Sequence, residues 1–322
     1  MKLGNKRVYS RKIDWFFLIF PVWLPILFLS TEYLANDYGA YVTFIFLFLI
    51  GEAHFVATLF FFTSENREYI LDRKKSFVYY PIFLLSLNAA LFFYNIKFAL
   101  ILGGALSAWH VTRQSVGISR LFTGRHRALE FDIYVISLLS VVVGFFRSVE
   151  LYLDSVPEIF TRFIGWIEND LFKVSLITLI LACLIRRIYL NRSTLTVESV
   201  AIYSVGCTLY MPYIFIDPLL AAIIGVSMHW SQYLTLVYTI SARNGNLSKL
   251  KRKFLSVRVW FVILLFLIAI FVSDFARVVE QNLLPILLIP LSIQLLHYYY
   301  DGLIWKGSDP YLRENVFKRI FL

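Results

Sequence analysis

Long apolar stretches separated by short polar segments dominate the chain. Ten of them approach the length of about 20 mostly apolar residues that a membrane-crossing helix needs. They cover residues 15–35, 40–63, 77–95, 98–122, 131–147, 171–190, 197–216, 218–241, 259–276 and 282–305. The pattern predicts an all-α protein, a polytopic transmembrane helix bundle of about ten helices. It forms a single integral membrane domain over residues 1–322.

The polar segments set the orientation. With a cytoplasmic start, the inside loops carry Arg67, Arg73, Lys74 and Lys75; Arg120, Arg125 and Arg127; Arg186, Arg187 and Arg192; and Lys249, Lys251, Arg252 and Lys253. The segments assigned outside (35–40, 95–97, 148–170, 217 and 275–282) are poor in lysine and arginine. Basic residues concentrate on the cytoplasmic side of membrane proteins, so both termini are expected there. Segment 148–170 mixes acidic residues with apolar ones at helical spacing and predicts a helix lying flat at the outer interface. Ser308-Asp309-Pro310 predicts the start of a second surface helix, because proline suits a first helical position.

Composition narrows the class. Hydrophobic residues are 59% and charged residues 16% of the chain, against roughly a quarter charged in soluble domains. Mean hydropathy is +0.70. The net charge of +10 resides in loops between apolar runs, which argues against nucleic acid as a partner. The expected partners are the lipid bilayer and a lipid-soluble small molecule. Cys183 and Cys207 both lie inside apolar runs, so neither a disulfide framework nor a thiolate metal site is predicted. The polar, basic stretch 1–14 runs straight into the first apolar run, which lacks a small-residue cleavage pattern. These features predict an uncleaved, multi-pass protein of the cell membrane (cytoplasmic or inner membrane).

Candidate chemistry comes from histidine. Four of the five histidines, His54, His110, His229 and His297, fall deep inside expected helices 2, 4, 8 and 10, at similar depth. Taking 15–122 and 197–305 as two blocks joined by 123–196, the second and fourth helix of each block carries one histidine. A parallel repeat of four-helix blocks would produce that arrangement. Polar residues accompany each histidine. Glu52 is two residues before His54, Gln114 one turn after His110, and Gln232 and Tyr233 one turn after His229. Gln294 and Asp301 share a helix face with His297. Polar groups in hydrocarbon are costly unless paired or functional. The four histidines are therefore the candidate metal ligands. Glu52, Asp301 and Tyr233 are the candidate catalytic groups, and Gln114, Gln232 and Gln294 the candidate cofactor-binding groups. Interhelical hydrogen bonding remains the other reading of any single membrane histidine. His126, in Gly124-Arg125-His126-Arg127, is expected to be solvated, and Tyr298–Tyr300 with Trp305 to form an interfacial aromatic belt.

Neutral imidazoles suit iron, zinc or copper. Two redox chemistries fit an all-histidine intramembrane site. One is non-haem Fe(II) with positions open to dioxygen; the other is bis-histidine haem. A transporter with a proton-titrating core is the reading without a metal. The boxes H-x(3–4)-H, H-x-x-H-H and H-E-x-x-H are absent. Intramembrane histidine followed by an acid, as in His297-Tyr298-Tyr299-Tyr300-Asp301, resembles the Brp/Blh beta-carotene dioxygenase family. In that family a paired H-x-x-x-H occurs where His229 is here followed by Tyr233. The resemblance implies a multi-helix membrane protein that binds one iron through histidines and cleaves an isoprenoid.

Overall fold

The computed structural model describes residues 7–34, 51, 54–55, 57, 66–148, 158–243 and 284–321. Among the described residues the regular structure is entirely helical. In chain order the helices are α1 (Arg11–Ile13), α2 (Trp23–Leu34), α3 (Arg67–Leu71), α4 (Tyr80–Tyr94), α5 (Ile96–Thr123) and α6 (Arg127–Arg147). Then follow α7 (Glu158–Glu168), α8 (Asp170–Leu190), α9 (Val197–Thr208), α10 (Pro218–Ala242), α11 (Leu284–Ile304) and α12 (Pro310–Asn315). Two π-helical turns, Asp14–Ile19 and Lys75–Tyr79, precede α2 and α4, and a 3-10 turn, Met211–Ile214, follows α9.

Lys75–Tyr94 and Arg127–Arg147 are long and apolar enough to cross a membrane. The pair Arg11–Ile19 and Trp23–Ser30 makes a third if it is one span bent by 59°. Two or three such helices among the described residues are fewer than the ten runs expected. Run 259–276 and most of 40–63 lie outside the described residues. Elsewhere the shortfall has a chemical cause. Helix α5 carries Lys97, His110 and Arg113; α8 carries Lys173, Arg186 and Arg187; α11 carries Gln294, His297 and Asp301. Helix α9 stops after 12 residues, short of the run 197–216.

The apolar helices expose apolar faces as well as burying them. On α6 the buried residues Leu129, Ile133, Ile136, Ser137, Ser140 and Val143 recur at three- and four-residue spacing. The opposite face is equally apolar, with Phe131, Val135, Leu138 and Val142 all exposed. A helix apolar all round is buried in protein or in a membrane. Helix α8 repeats the pattern, with Leu176, Ile180 and Leu184 inward and Val174, Leu179, Leu181 and Ile185 outward.

The chain divides into two compact units. The first comprises Met1–Tyr33 with Gly104–Gln232, the second Leu34–Gly103 with Tyr233–Leu322. In the first unit, the inward stripes of α6 and α8 close on Tyr203 and Cys207 of α9 and on Met211 and Ile214. Arg147 ends α6 with its guanidinium engaged on both sides. Its Nε meets Glu168 Oε1 at 2.5 Å, and its Nη1 donates to the carbonyls of Tyr213 (2.9 Å) and Ile216 (2.6 Å). Within segment 148–170, α7 is the described helix. It buries Ile167 and packs Phe163 edge-on to Phe146 at 5.0 Å, leaving Trp166 more exposed. His126 is half-buried and contacts Asn191 Oδ1 at 3.1 Å, so it is less solvated than its basic loop suggests.

In the second unit, α4 packs along α11, where Asn88 Nδ2 donates to Ser292 Oγ at 3.1 Å. The C-terminal tail is fastened by aromatic and polar contacts. Asp309 caps α12 by accepting from the Leu312 amide at 3.1 Å. Its Oδ2 also accepts from the Tyr69 hydroxyl at 2.9 Å. Tyr69 stacks on Tyr311 at 4.5 Å, and the Arg73 guanidinium lies 3.8 Å from its ring centre. Burial, and then the bond to Asp309, push the Tyr69 phenol up to about 12. For Asp309, burial acts upward, but the Leu312 amide and the Tyr69 hydroxyl outweigh it and hold the carboxyl below its ordinary value. A carboxyl lowered in the folded state stabilises fully above its unfolded value of about 3.9. That contribution disappears as pH falls through the lower folded value. Cleavage of the tail at Leu312 or Phe317 should therefore accelerate on acidification, with an aspartic protease active at low pH as probe. Tyr69→Phe should move that acceleration to higher pH; an unchanged profile would show that the tail is held without the Asp309 bond.

Candidate metal centre

Each unit holds a close pair of buried histidines. In the first unit, α5 presents His110 and α10 presents His229, with ring centroids 6.1 Å apart and planes at 90°. His229 is completely buried and His110 nearly so. Val111 and Met228, their immediate chain neighbours, join Val205, Leu209 and Tyr210 in an apolar cluster. In the second unit, His54 lies against His297 of α11, centroids 4.3 Å apart with planes at 67°. Two imidazoles on one ion, with metal–nitrogen bonds of about 2.1 Å, place their centroids about 4.5–6.5 Å apart. Both pairs lie within or close to that interval.

The pairs have company of different kinds. In the second unit the Tyr233 ring stands edge-on to His54 at 4.5 Å and 89°. Its hydroxyl donates to Asp301 Oδ1 at 2.7 Å. The other carboxylate oxygen, Oδ2, is 3.5 Å from His297 Nε2. His54, Tyr233, His297 and Asp301 are each at most 3% exposed. Within the second unit, His297 and Asp301 carry buried nitrogen and oxygen donors of the kind that could hold a metal ion, and in the first unit His110 offers a buried ring nitrogen of the same kind. Glu52 lies outside the described residues. Gln114 is half-buried one turn beyond His110. The Gln232 Nε2 donates to the Leu18 carbonyl at 2.9 Å, and the Gln294 amide meets the Tyr298 hydroxyl. Arg113 points outward and is exposed.

One local device fixes a histidine helix in both units. Two and three residues after His229, Ser231 Oγ donates to the Phe17 carbonyl (2.7 Å) and Gln232 to that of Leu18. Two and three residues after His297, the Tyr299 and Tyr300 hydroxyls donate to the carbonyls of Ser76 and Phe77, each at 2.9 Å. All four acceptors belong to the two π-helical turns. A π-turn departs from the regular carbonyl-to-amide ladder. A carbonyl shut away from water without a donor is costly, and here side chains supply the donors. Tyr299 and Tyr300 thus act as donors to backbone inside the protein, a role that a tyrosine run does not announce in the sequence. The recurrence of donors at the same two offsets after a histidine was the available signal.

Each pair also takes one histidine from block 15–122 and one from block 197–305, so distant parts of the chain furnish each unit. Comparison with protein-family models, curated proteins and solved structures finds no match to this chain.

Proposed function

We propose that the chain is an integral membrane, metal-dependent oxidoreductase. In this reading it is a non-haem iron oxygenase whose metal ligands come from His54, His110, His229 and His297. Its substrate is an isoprenoid or another lipid-soluble molecule reaching the protein through the bilayer. The ten-span topology with cytoplasmic termini belongs to the same reading. The observation that carries it is the presence, in each unit, of two buried histidines with rings within about one ligand–metal–ligand span. Four imidazoles in an apolar interior are expensive as mere hydrogen-bond partners, and they suit iron when neutral. Iron with open positions would supply dioxygen activation, and an isoprenoid is the substrate class that the Brp/Blh resemblance implies.

Elemental analysis and a visible spectrum of detergent-purified protein test the reading. The expected result is bound iron without a Soret band, with the share held by each unit's pair lost in His297→Ala and in His110→Ala respectively. Full metal content in both variants would reject these histidines as ligands. The perpendicular His110 and His229 rings at 6.1 Å favour a second reading, in which both imidazoles would hold the iron of one haem. A Soret band that disappears in His229→Ala would establish it.

A further inference from the structure

We infer that Asp301 binds the metal directly, as a chelating partner of His297, and that Tyr233 positions its carboxylate. The inference rests on the metal-centre reading and specifies its donor set. Asp301 Oδ2 and His297 Nε2 are 3.5 Å apart. That is beyond the ordinary N–H···O range of about 2.7–3.2 Å. Two donors bonded to one ion at about 2.1 Å, at angles between octahedral and tetrahedral, are about 3.0–3.4 Å apart. The observed separation is therefore closer to an edge of a coordination polyhedron than to a hydrogen bond.

The helix supplies the rest of the geometry. His297 and Asp301 stand four residues apart on α11, the spacing by which two side chains on one helix face reach a single ion. The carboxylate's other oxygen is taken by the Tyr233 hydroxyl at 2.7 Å. This bond fixes the carboxylate plane and directs Oδ2 toward His297. Tyr233 in turn is wedged between His54 at 4.5 Å and Trp305 at 5.9 Å. A carboxylate ligand adds one negative charge, which suits a divalent ion in an apolar interior better than imidazoles alone. It also favours non-haem iron over haem at His297, since mixed histidine and carboxylate sets with open positions belong to non-haem Fe(II) centres.

Co(II) titration of the full chain in detergent, read by its visible d–d bands, tests this. In Asp301→Asn the affinity should fall about 100-fold or more, and at saturating Co(II) the bands should shift because a carboxylate oxygen has left the ion. In Tyr233→Phe the affinity should fall about 10-fold, the scale of a lost supporting hydrogen bond, with the bands unshifted. If Asp301→Asn binds Co(II) with wild-type affinity and spectrum while His297→Ala does not, Asp301 is not a ligand and the metal reading survives. If wild type binds neither Co(II) nor iron, the metal reading falls and the inference with it. Should Asp301→Asn fail to fold, Tyr233→Phe still decides: unchanged affinity would overturn the inference.

Discussion

Gly225→Ala should cost about 3 kcal/mol or more, at or above the upper end of ordinary overpacking penalties. A Cβ at position 225 would stand 2.1 Å from the Leu209 carbonyl oxygen and 3.2 Å from its carbon. The obstacle is backbone at the end of α9, so no rotamer change relieves it. Helix α10 would have to move away, and the displaced turn lies one turn before His229. Gly144→Ala meets Tyr213 Cδ1, Cγ and Cβ at 2.0, 2.7 and 2.9 Å; turning the ring relieves the first but not Cβ, so the backbone at Tyr213 must also shift and a loss of the same order is expected. Gly117 and Gly165 have open space where a Cβ would go. Alanine there should be neutral or stabilising by about 0.5–1 kcal/mol, from helix propensity alone. Thermal unfolding of the four variants in one detergent checks the order. Gly225→Ala melting with Gly117→Ala would mean that α9 and α10 do not approach closely.

The helices themselves were legible in the sequence because apolar runs and basic loops are local signals. The stretches around 77–95, 98–122, 131–147, 171–190, 218–241 and 282–305 correspond to described helices within a few residues. The number apolar enough to cross a membrane was not legible, since hydropathy counts length and composition together. Helices α5 and α11 lose apolar character through the very residues, His110 and His297, that single them out as candidate site helices. Partnership was also hidden. Sequence order offers no reason to join His54 with His297 across more than 200 positions, or His110 with His229 across more than 100; packing alone does that. The π-turns escaped because nothing in Asp14–Ile19 or Lys75–Tyr79 departs from ordinary helical composition. Their donors were visible as polar residues, but a glutamine beside a histidine reads first as a metal-site group. The Gln232 amide instead serves backbone.

Removing Asp132 should be the second severe substitution, and the reason is what it would leave behind. Arg187 grips the Asp132 carboxylate with two nitrogens, Nε to Oδ2 at 2.6 Å and Nη2 to Oδ1 at 3.0 Å. The Tyr203 hydroxyl, wholly buried, donates to Oδ2 at 2.8 Å. The carboxylate thus joins α6, α8 and α9. Asp132→Ala strands a guanidinium and a phenol together. Breaking one side of a buried pair costs about 3–5 kcal/mol, and side-chain exposures of 31% for Arg187 and 18% for Asp132 place this case near the lower end. Tyr203→Phe should cost only about 1 kcal/mol, because Arg187 keeps the carboxylate satisfied. The double variant Asp132→Ala/Arg187→Met separates loss of attraction from the penalty of an orphaned charge. An apolar replacement of both partners is often tolerated, so the double variant should be more stable than Asp132→Ala alone. Thermal or denaturant unfolding of the wild type, Asp132→Ala, Arg187→Met and the double variant gives the coupling energy directly. Strict additivity of the single losses would show that the pair contributes nothing to holding the three helices, and that the apolar stripes of α6 and α8 carry the unit by themselves.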